Sequence, residues 1–328
     1  MSKEGGARSA RRAKRGGDKL KRAAGGPGPR GPGDAFGYGA YKAVSLAFAL
    51  LPRRICLAVG AGLGRLVYRL DRRHREIALG NLAVAFGKER PPEELEAIAR
   101  RSLAGFGRAL ADVLKMMRYS RSRVLSLVTI EGAENMAAAR AKGRGVLAFS
   151  AHFGHWELAS AVVSEAGTFR PLVRVLDNPL IERDLLRFRI RMGAAVIDKL
   201  GASRPVLKAL RRNEIVTILI DQNVLRSQAV FVDFFGKAAA TTPGLAFFHL
   251  MTGAPIVPFF SYPAPGGRYV FRYLPPLEVA PGGDREADVL KITGICTKII
   301  EHEIRGHPEL WLWIHKRWNT RPTEEVSS

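Results

Sequence analysis

The segment Ser150-Ala151-His152-Phe153-Gly154-His155-Trp156-Glu157 sets an imidazole five residues ahead of a carboxylate. A neutral imidazole accepts the proton of a hydroxyl nucleophile. A carboxylate on its other ring nitrogen fixes the tautomer and steadies the cation that forms. His152 as general base and Glu157 as its orienting acid are the catalytic pair this pattern points to. No Gly-x-Ser-x-Gly nucleophile motif occurs in the chain, so direct transfer to a hydroxyl is simpler than a route through a covalent enzyme intermediate. Two blander readings stand beside it. An isolated histidine in a turn is often structural. His152, His155 and Glu157 could also ligate a metal, but the His-Glu-x-x-His order is absent and no further ligand cluster is evident, so the expectation is no metal.

That chemistry places a demand on the backbone. Residues five apart on a regular helix lie about 140° apart, so His152 and Glu157 meet only if His152 precedes the helix. Val146-Leu147-Ala148-Phe149-Ser150 reads as a buried strand and Trp156-Glu157-Leu158-Ala159 as a helix start. His152 then falls on a strand-to-helix turn, at the carboxyl edge of a sheet where α/β proteins bind ligands.

After about residue 125 short apolar runs alternate with helical patterns. Strands are expected at Gly145–Ser150, Phe169–Val175, Ala194–Asp198, Ile215–Ile220, Val230–Phe235, Pro255–Ser261, Tyr269–Tyr273 and Leu310–Ile314, and helices at 156–166, 180–192, 203–212, 242–252 and 285–305. This alternation predicts an α/β domain over residues 81–322 with a mostly parallel or mixed central sheet flanked by helices. Pro91-Pro92-Glu93-Glu94 opens a long helix. Its residues Leu95, Ile98, Ala99, Ser102, Phe106, Ala109, Leu110, Val113 and Met117 follow the 3.6-residue period of a core face.

The 328 residues carry 52 Lys/Arg against 30 Asp/Glu, a net +22, which implies an anionic partner: nucleic acid, a phospholipid surface or a phosphorylated substrate. Residues 1–37 hold +7 of this and the rest of the chain +15. Residues 1–36, rich in Gly, Pro and charge, read as a disordered basic arm, and 323–328 as a tail. No secretory signal pattern follows the arm. Cys56 and Cys296 sit in apolar stretches without partners at metal-ligand spacing, which fits a reducing compartment.

Between the arm and the domain, residues 37–80 read as a membrane-associating helical segment. Ala43–Leu51 and Ile55–Leu63 are separated by Pro52-Arg53-Arg54. Each run spans about 14 Å as helix, against a hydrocarbon core of about 30 Å. An interfacial pair is expected, with Arg65, Arg69, Arg72, Arg73 and Arg75 toward anionic headgroups. Two alternatives stay open: helices buried against the domain, and a spanning helix that begins near Tyr38 and tolerates the break.

Further blocks follow in order: Arg174-Val175-Leu176-Asp177-Asn178-Pro179-Leu180, Asp221-Gln222-Asn223, Val230-Phe231-Val232-Asp233-Phe234-Phe235-Gly236, Thr241-Thr242-Pro243, and the stretch from Pro308 to Pro322. With His152 and Glu157 matching a His-x4-Asp/Glu motif, they make the chain resemble the bacterial lipid A biosynthesis acyltransferases, within the lysophospholipid acyltransferase superfamily, over roughly residues 40–322. The resemblance implies a glycerolipid acyltransferase-like fold. It implies transfer of a fatty-acyl group from an acyl-carrier-protein or coenzyme A thioester to a hydroxyl of a lipid A precursor, without a further cofactor, at the cytoplasmic face of the bacterial inner membrane. His152 would be the base, Glu157 its orienting acid, and Arg174 a clamp for phosphate or oxyanion. Asn178, Asp221, Gln222, Thr241 and Thr242 complete the candidate substrate-binding set, although helix capping also explains Thr241-Thr242-Pro243. Many relatives read Asp-x-Asp where this chain has Asp221-Gln222-Asn223, so another polar lipid is the alternative acceptor: a phosphatidylinositol mannoside, a lysophospholipid or an aminolipid. Trp311, Trp313 and Trp318 near Lys316, Arg317 and Arg321 read as core or membrane-facing packing. No helix-turn-helix, zinc-finger or RNA-recognition signature supports a specific nucleic-acid partner.

Overall fold

The computed structural model describes residues 31–280 and 282–322. The arm expected over 1–36 lies outside the described residues as far as residue 30, and so does the tail at 323–328. Residues 32–36, assigned by sequence to the arm, instead open helix α1 (Pro32–Leu50). Proline loses nothing in the first turn, and Asp34 complements the positive end of the helix. Pro52 separates α1 from α2 (Arg53–Leu70). Asp71 then caps α3 (Arg72–Phe86) by accepting from the His74 amide at 3.0 Å. The expected boundary at residue 80 thus falls inside a helix. The long helix is α4 (Pro92–Met116), with Leu95, Ile98, Ala99, Ser102 and Val113 buried as the period predicts. Leu110 departs from that pattern and is 48% exposed.

Helix α2 buries Cys56, Leu57, Gly60, Ala61, Gly64 and Tyr68. Glycines let its backbone touch that of α4: a Cβ at Gly60 would stand 2.5 Å from the Gly107 carbonyl oxygen, and one at Gly64 would collide with the Leu103 carbonyl. The opposite face leaves Ile55, Val59, Leu63, Leu66 and Leu70 exposed, continued by Val44, Leu46 and Leu50 on α1. Among the described residues, no helix is long and apolar enough to cross a membrane.

The α/β portion runs α5 (Arg121–Leu125), β1 (Val128–Glu131), α6 (Ala133–Ala141), β2 (Val146–Ser150), α7 (Ala159–Ala166), β3 (Phe169–Val173), α8 (Pro179–Arg191), β4 (Ile197–Asp198), α9 (Ser203–Leu210) and β5 (Ile215–Leu219). It continues with β6 (Val230–Phe234), β7 (Lys237–Thr241), α10 (Gly244–Thr252), β8 (Ile256–Ala264), β9 (Arg268–Tyr273) and α11 (Arg285–Gly306). Seven strands form a mixed sheet in the order β1-β9-β8-β2-β5-β3-β4. From β8 to β4 all neighbours are parallel; β9 runs antiparallel to β8, and β1 parallel to β9. Central strand β2 is buried at every position, as its unbroken apolar run requires of a parallel strand covered on both faces. Strands β6 and β7 form a separate hairpin.

Leu310–Ile314, expected as a strand, is not one. A 3-10 turn at Pro308–Leu310 leads to Trp311, which makes a single antiparallel bridge to Phe153. The carbonyls of Trp313 and His315 are taken by the Asn81 side chain, at 2.7 Å each, and not by a sheet neighbour.

Candidate active site

Strands β2 and β5 are parallel and in register, with Ser150 opposite Leu219. Two steps beyond that pair, at the carboxyl edge, His152 and Asp221 arrive side by side. His152 Nδ1 lies 2.9 Å from Asp221 Oδ1, and the His152 backbone N–H donates to Oδ2 at 2.9 Å. The turn after His152 is stitched on both sides. Gly154 adopts φ +57°, where a Cβ would collide with the Ser261 carbonyl; its N–H donates to Leu310 O at 2.8 Å. The His155 N–H donates to Ser261 Oγ at 2.8 Å, and the Leu312 N–H to His152 O at 3.1 Å. His152 is held from three directions before any ligand arrives.

Strand β2 ends before the histidine, as the sequence required. The partner differs from the expected one. Glu157 is the middle residue of a 3-10 turn (Trp156–Leu158) and makes a two-bond pair with Arg189 of α8, with Nε to Oε2 at 3.0 Å. Asp221 holds the position expected for Glu157 because in-register parallel strands bring it to the imidazole, whereas Glu157 is engaged by Arg189 of α8. Glu157 still acts on His152 through its charge.

Burial opposes a charged His152, but the Asp221 carboxylate and then Glu157 outweigh it, so the imidazole pKa is raised above its ordinary value. Burial pushes the Asp221 carboxyl up, yet His152 and the Trp311 indole more than reverse this and hold it at about 2. Glu157 is also lowered, with Arg189 overcoming burial. With Nδ1–H turned to Asp221, the Nε2 lone pair is the free basic site. The side-chain nitrogen of Gln222 lies 3.2 Å from it, which suits an amide N–H donating to that lone pair.

Trp311 was expected only as packing. It is buried, and its Nε1–H donates to Asp221 Oδ2 at 2.9 Å, so it helps hold the orienting carboxylate. A buried indole N–H needs an acceptor. That need is legible in the sequence, though its partner is not.

The expected substrate residues divide. Gln222 and Arg174 line a cavity of about 230 Å³ that reaches His152, along with Glu157, Phe169, Lys199 and Phe259. Arg174 is 80% exposed and makes a distant ion pair with Asp177 at 3.7 Å. Lys199, unremarked in the sequence, has its pKa lowered by burial and by Arg174. Asn178 is not at the site. It caps α8, accepting from Leu180 N at 3.0 Å and Ile181 N at 3.3 Å and donating to Asp34 O at 3.0 Å. Thr241 is buried, accepting from Arg317 at 2.6 Å, and Thr242 accepts from the Gly244 amide at 3.4 Å. Neither lines a cavity at His152; Thr241 ends β7, and Thr242 stands at the approach to α10. Asn223 exchanges two hydrogen bonds with Thr320, at 2.9 and 3.1 Å, so this departure from the family loop serves the fold.

A second cavity, of about 310 Å³, meets His152 from the α2–α4 side and is lined by Arg65, Arg100, Arg101, Arg108 and His155. Among the described residues, no cluster of three or more His, Cys, Asp or Glu could hold a metal. The arrangement can abstract a hydroxyl proton at the junction of two cavities.

Comparison with known proteins gives one consistent result. The family model described as bacterial lipid A biosynthesis acyltransferase matches residues 34–320. The lipid A biosynthesis lauroyltransferase of Escherichia coli (strain K12) is 29% identical over 274 residues, covering 83% of this chain and 88% of the relative. The palmitoleoyltransferase of the same organism is 29% identical over 279 residues, covering 84% and 89%. A phosphatidylinositol mannoside acyltransferase of Mycobacterium tuberculosis (strain CDC 1551 / Oshkosh) is 26% identical over 224 residues, covering 66% and 69%.

Proposed function

The chain belongs to the bacterial lipid A biosynthesis acyltransferase family and is an O-acyltransferase, and from that premise we propose that it moves a fatty-acyl group from an acyl-carrier-protein or coenzyme A thioester to a hydroxyl of a lipid A precursor. The observation that carries the reading is the His152 Nδ1 to Asp221 Oδ1 contact of 2.9 Å at the meeting point of two cavities. Neutral His152 takes the hydroxyl proton on Nε2 as the acceptor oxygen attacks the thioester carbonyl. Asp221 steadies the imidazolium that results. The C–O bond forms, the C–S bond breaks, and the imidazolium returns its proton to the departing thiolate. Gln222 must yield the lone pair before the hydroxyl can reach it.

The 230 Å³ cavity sets Phe169, Leu219 and Phe259 beside Arg174 and Lys199, which supports a thioester whose carbonyl lies at His152, with apolar wall for its chain and cations for an anionic part. The exposed leucines and isoleucine of α2, beside exposed Arg54, Arg69 and Arg73, support peripheral binding to the anionic cytoplasmic face of the inner membrane.

Acyl transfer by the purified chain, with radiolabelled thioester and lipid acceptor, tests the assignment against a His152→Ala variant; equal rates would remove the proposed base. The mannoside-acylating relatives favour a second reading, in which the acceptor is another polar lipid. Lipid profiles of deletion and complemented cells separate the two: unchanged lipid A with a shifted phospholipid profile sinks the lipid A version.

A further inference from the structure

We infer that the arginine-walled cavity on the α2–α4 side of His152 binds the phosphate group of a lipid headgroup, and so takes the acceptor from the membrane. The inference rests on the proposed acyl transfer and adds the chemistry by which one substrate is recognised. Arg65 follows Gly64, and Arg108 follows Gly107; these glycines allow the two helix backbones to touch. The close crossing therefore gathers Arg65, Arg100, Arg101 and Arg108 around one space of about 310 Å³. All four are exposed, and none forms an ion pair with a carboxylate among the described residues. Glu309 is the one acidic residue among the described residues lining the cavity. Four like charges around one space repel each other, and an entering phosphate would reverse that, since guanidinium forks match its oxygens.

A second feature points the same way from the inner wall. His155 is buried and lines this cavity, and its Nε2 has no hydrogen-bond partner among the described residues. Asp112 Oδ2 stands 3.8 Å away, beyond hydrogen-bond length, and is already engaged by Arg53 and the Tyr269 hydroxyl at 2.6 Å each. A buried polar atom left open is costly unless something fills the need. The membrane side follows from α2 itself, where exposed Leu63 and Leu66 neighbour Arg65. The other cavity also carries cations, Arg174, Arg189 and Lys199, but Arg189 is already paired with Glu157 and Phe169, Leu219 and Phe259 share its wall.

The test uses the full chain and three probes: phosphatidylcholine vesicles, the same vesicles carrying phosphatidic acid, and free coenzyme A. The double variant Arg101→Ala/Arg108→Ala is set against Arg69→Ala/Arg73→Ala, which removes equal charge from exposed positions outside the cavity. Phosphatidic acid should strengthen vesicle binding. The cavity pair should weaken that gain by roughly tenfold or more, given the strength of charge-assisted hydrogen bonds, and the outside pair by less than about threefold. Equal losses in both pairs, or none in the cavity pair, overturn the inference. So does coenzyme A binding that the cavity pair abolishes, because the cavity would then serve the donor. Vesicle binding needs no turnover, so absent acyl transfer by the wild-type chain would sink the proposed function separately.

Discussion

Replacing Asp221 with asparagine tests the orienting pair at its most exposed assumption. All three groups that contact the carboxylate are donors: the His152 amide and Trp311 Nε1 on Oδ2, and His152 Nδ1 on Oδ1, each at 2.9 Å. Asparagine offers one oxygen and one NH2. Two fixed donors converge on the Oδ2 position, so the amide oxygen settles there and the NH2 faces Nδ1. Nδ1 must then accept, the ring proton moves to Nε2, and the lone pair needed by the hydroxyl is lost. General-base catalysis contributes about 10²- to 10⁴-fold, so kcat should fall by roughly 10³, or about 4 kcal/mol of barrier. The amide and indole bonds survive, so stability should drop by only about 1–2 kcal/mol. Initial rates with acyl thioester and lipid acceptor measure the first quantity, and thermal unfolding the second. Imidazole ¹⁵N shifts report the tautomer. A variant within tenfold of wild type, or a slow one that keeps the proton on Nδ1, would refute the reasoning.

Four further outcomes are expected. Because the His152 pKa is raised, the base is protonated until higher pH; kcat/KM should rise with pH along a limb above the ordinary histidine value of about 6.5, and Asp221→Asn should move that limb down. The same shifts affect folding, and their signs differ. His152 contributes stability below its ordinary pKa that fades as pH rises through the raised value. Asp221 contributes above the ordinary carboxylate range and loses its share as pH falls toward about 2. Glu157→Gln strands Arg189 in a largely buried pair, so denaturant unfolding should show a loss of about 3–5 kcal/mol, partly recovered in Glu157→Gln/Arg189→Met; full stability in the single variant would contradict the pairing. Gly60→Leu should overpack the α2–α4 contact and cost about 1–3 kcal/mol by the same measurement, whereas Gly62→Ala, which meets nothing within 4 Å, should not.

Local pattern made much of this protein legible. The apolar run Val146–Ser150 reads as a buried strand and Trp156 onward as a helical start, and the ordered blocks from His152 to Pro322 carried the family. Such features depend on residue type and short-range spacing, which the sequence states outright. The pairings inside the site do not. Whether Glu157 or Asp221 meets His152 depends on β5 lying beside β2 in a parallel register across more than sixty residues of chain, and no local period encodes that choice. Non-local packing likewise brought Trp311 to Asp221 and gathered four arginines from two helices around one cavity, whereas Asn178 and Thr242 accept from amides only two residues on, a capping role that the local sequence does offer. Residue types along the chain show which groups could do the chemistry. Which of them touch is chosen in folding, because contact across parallel strands and crossing helices is set by non-local packing.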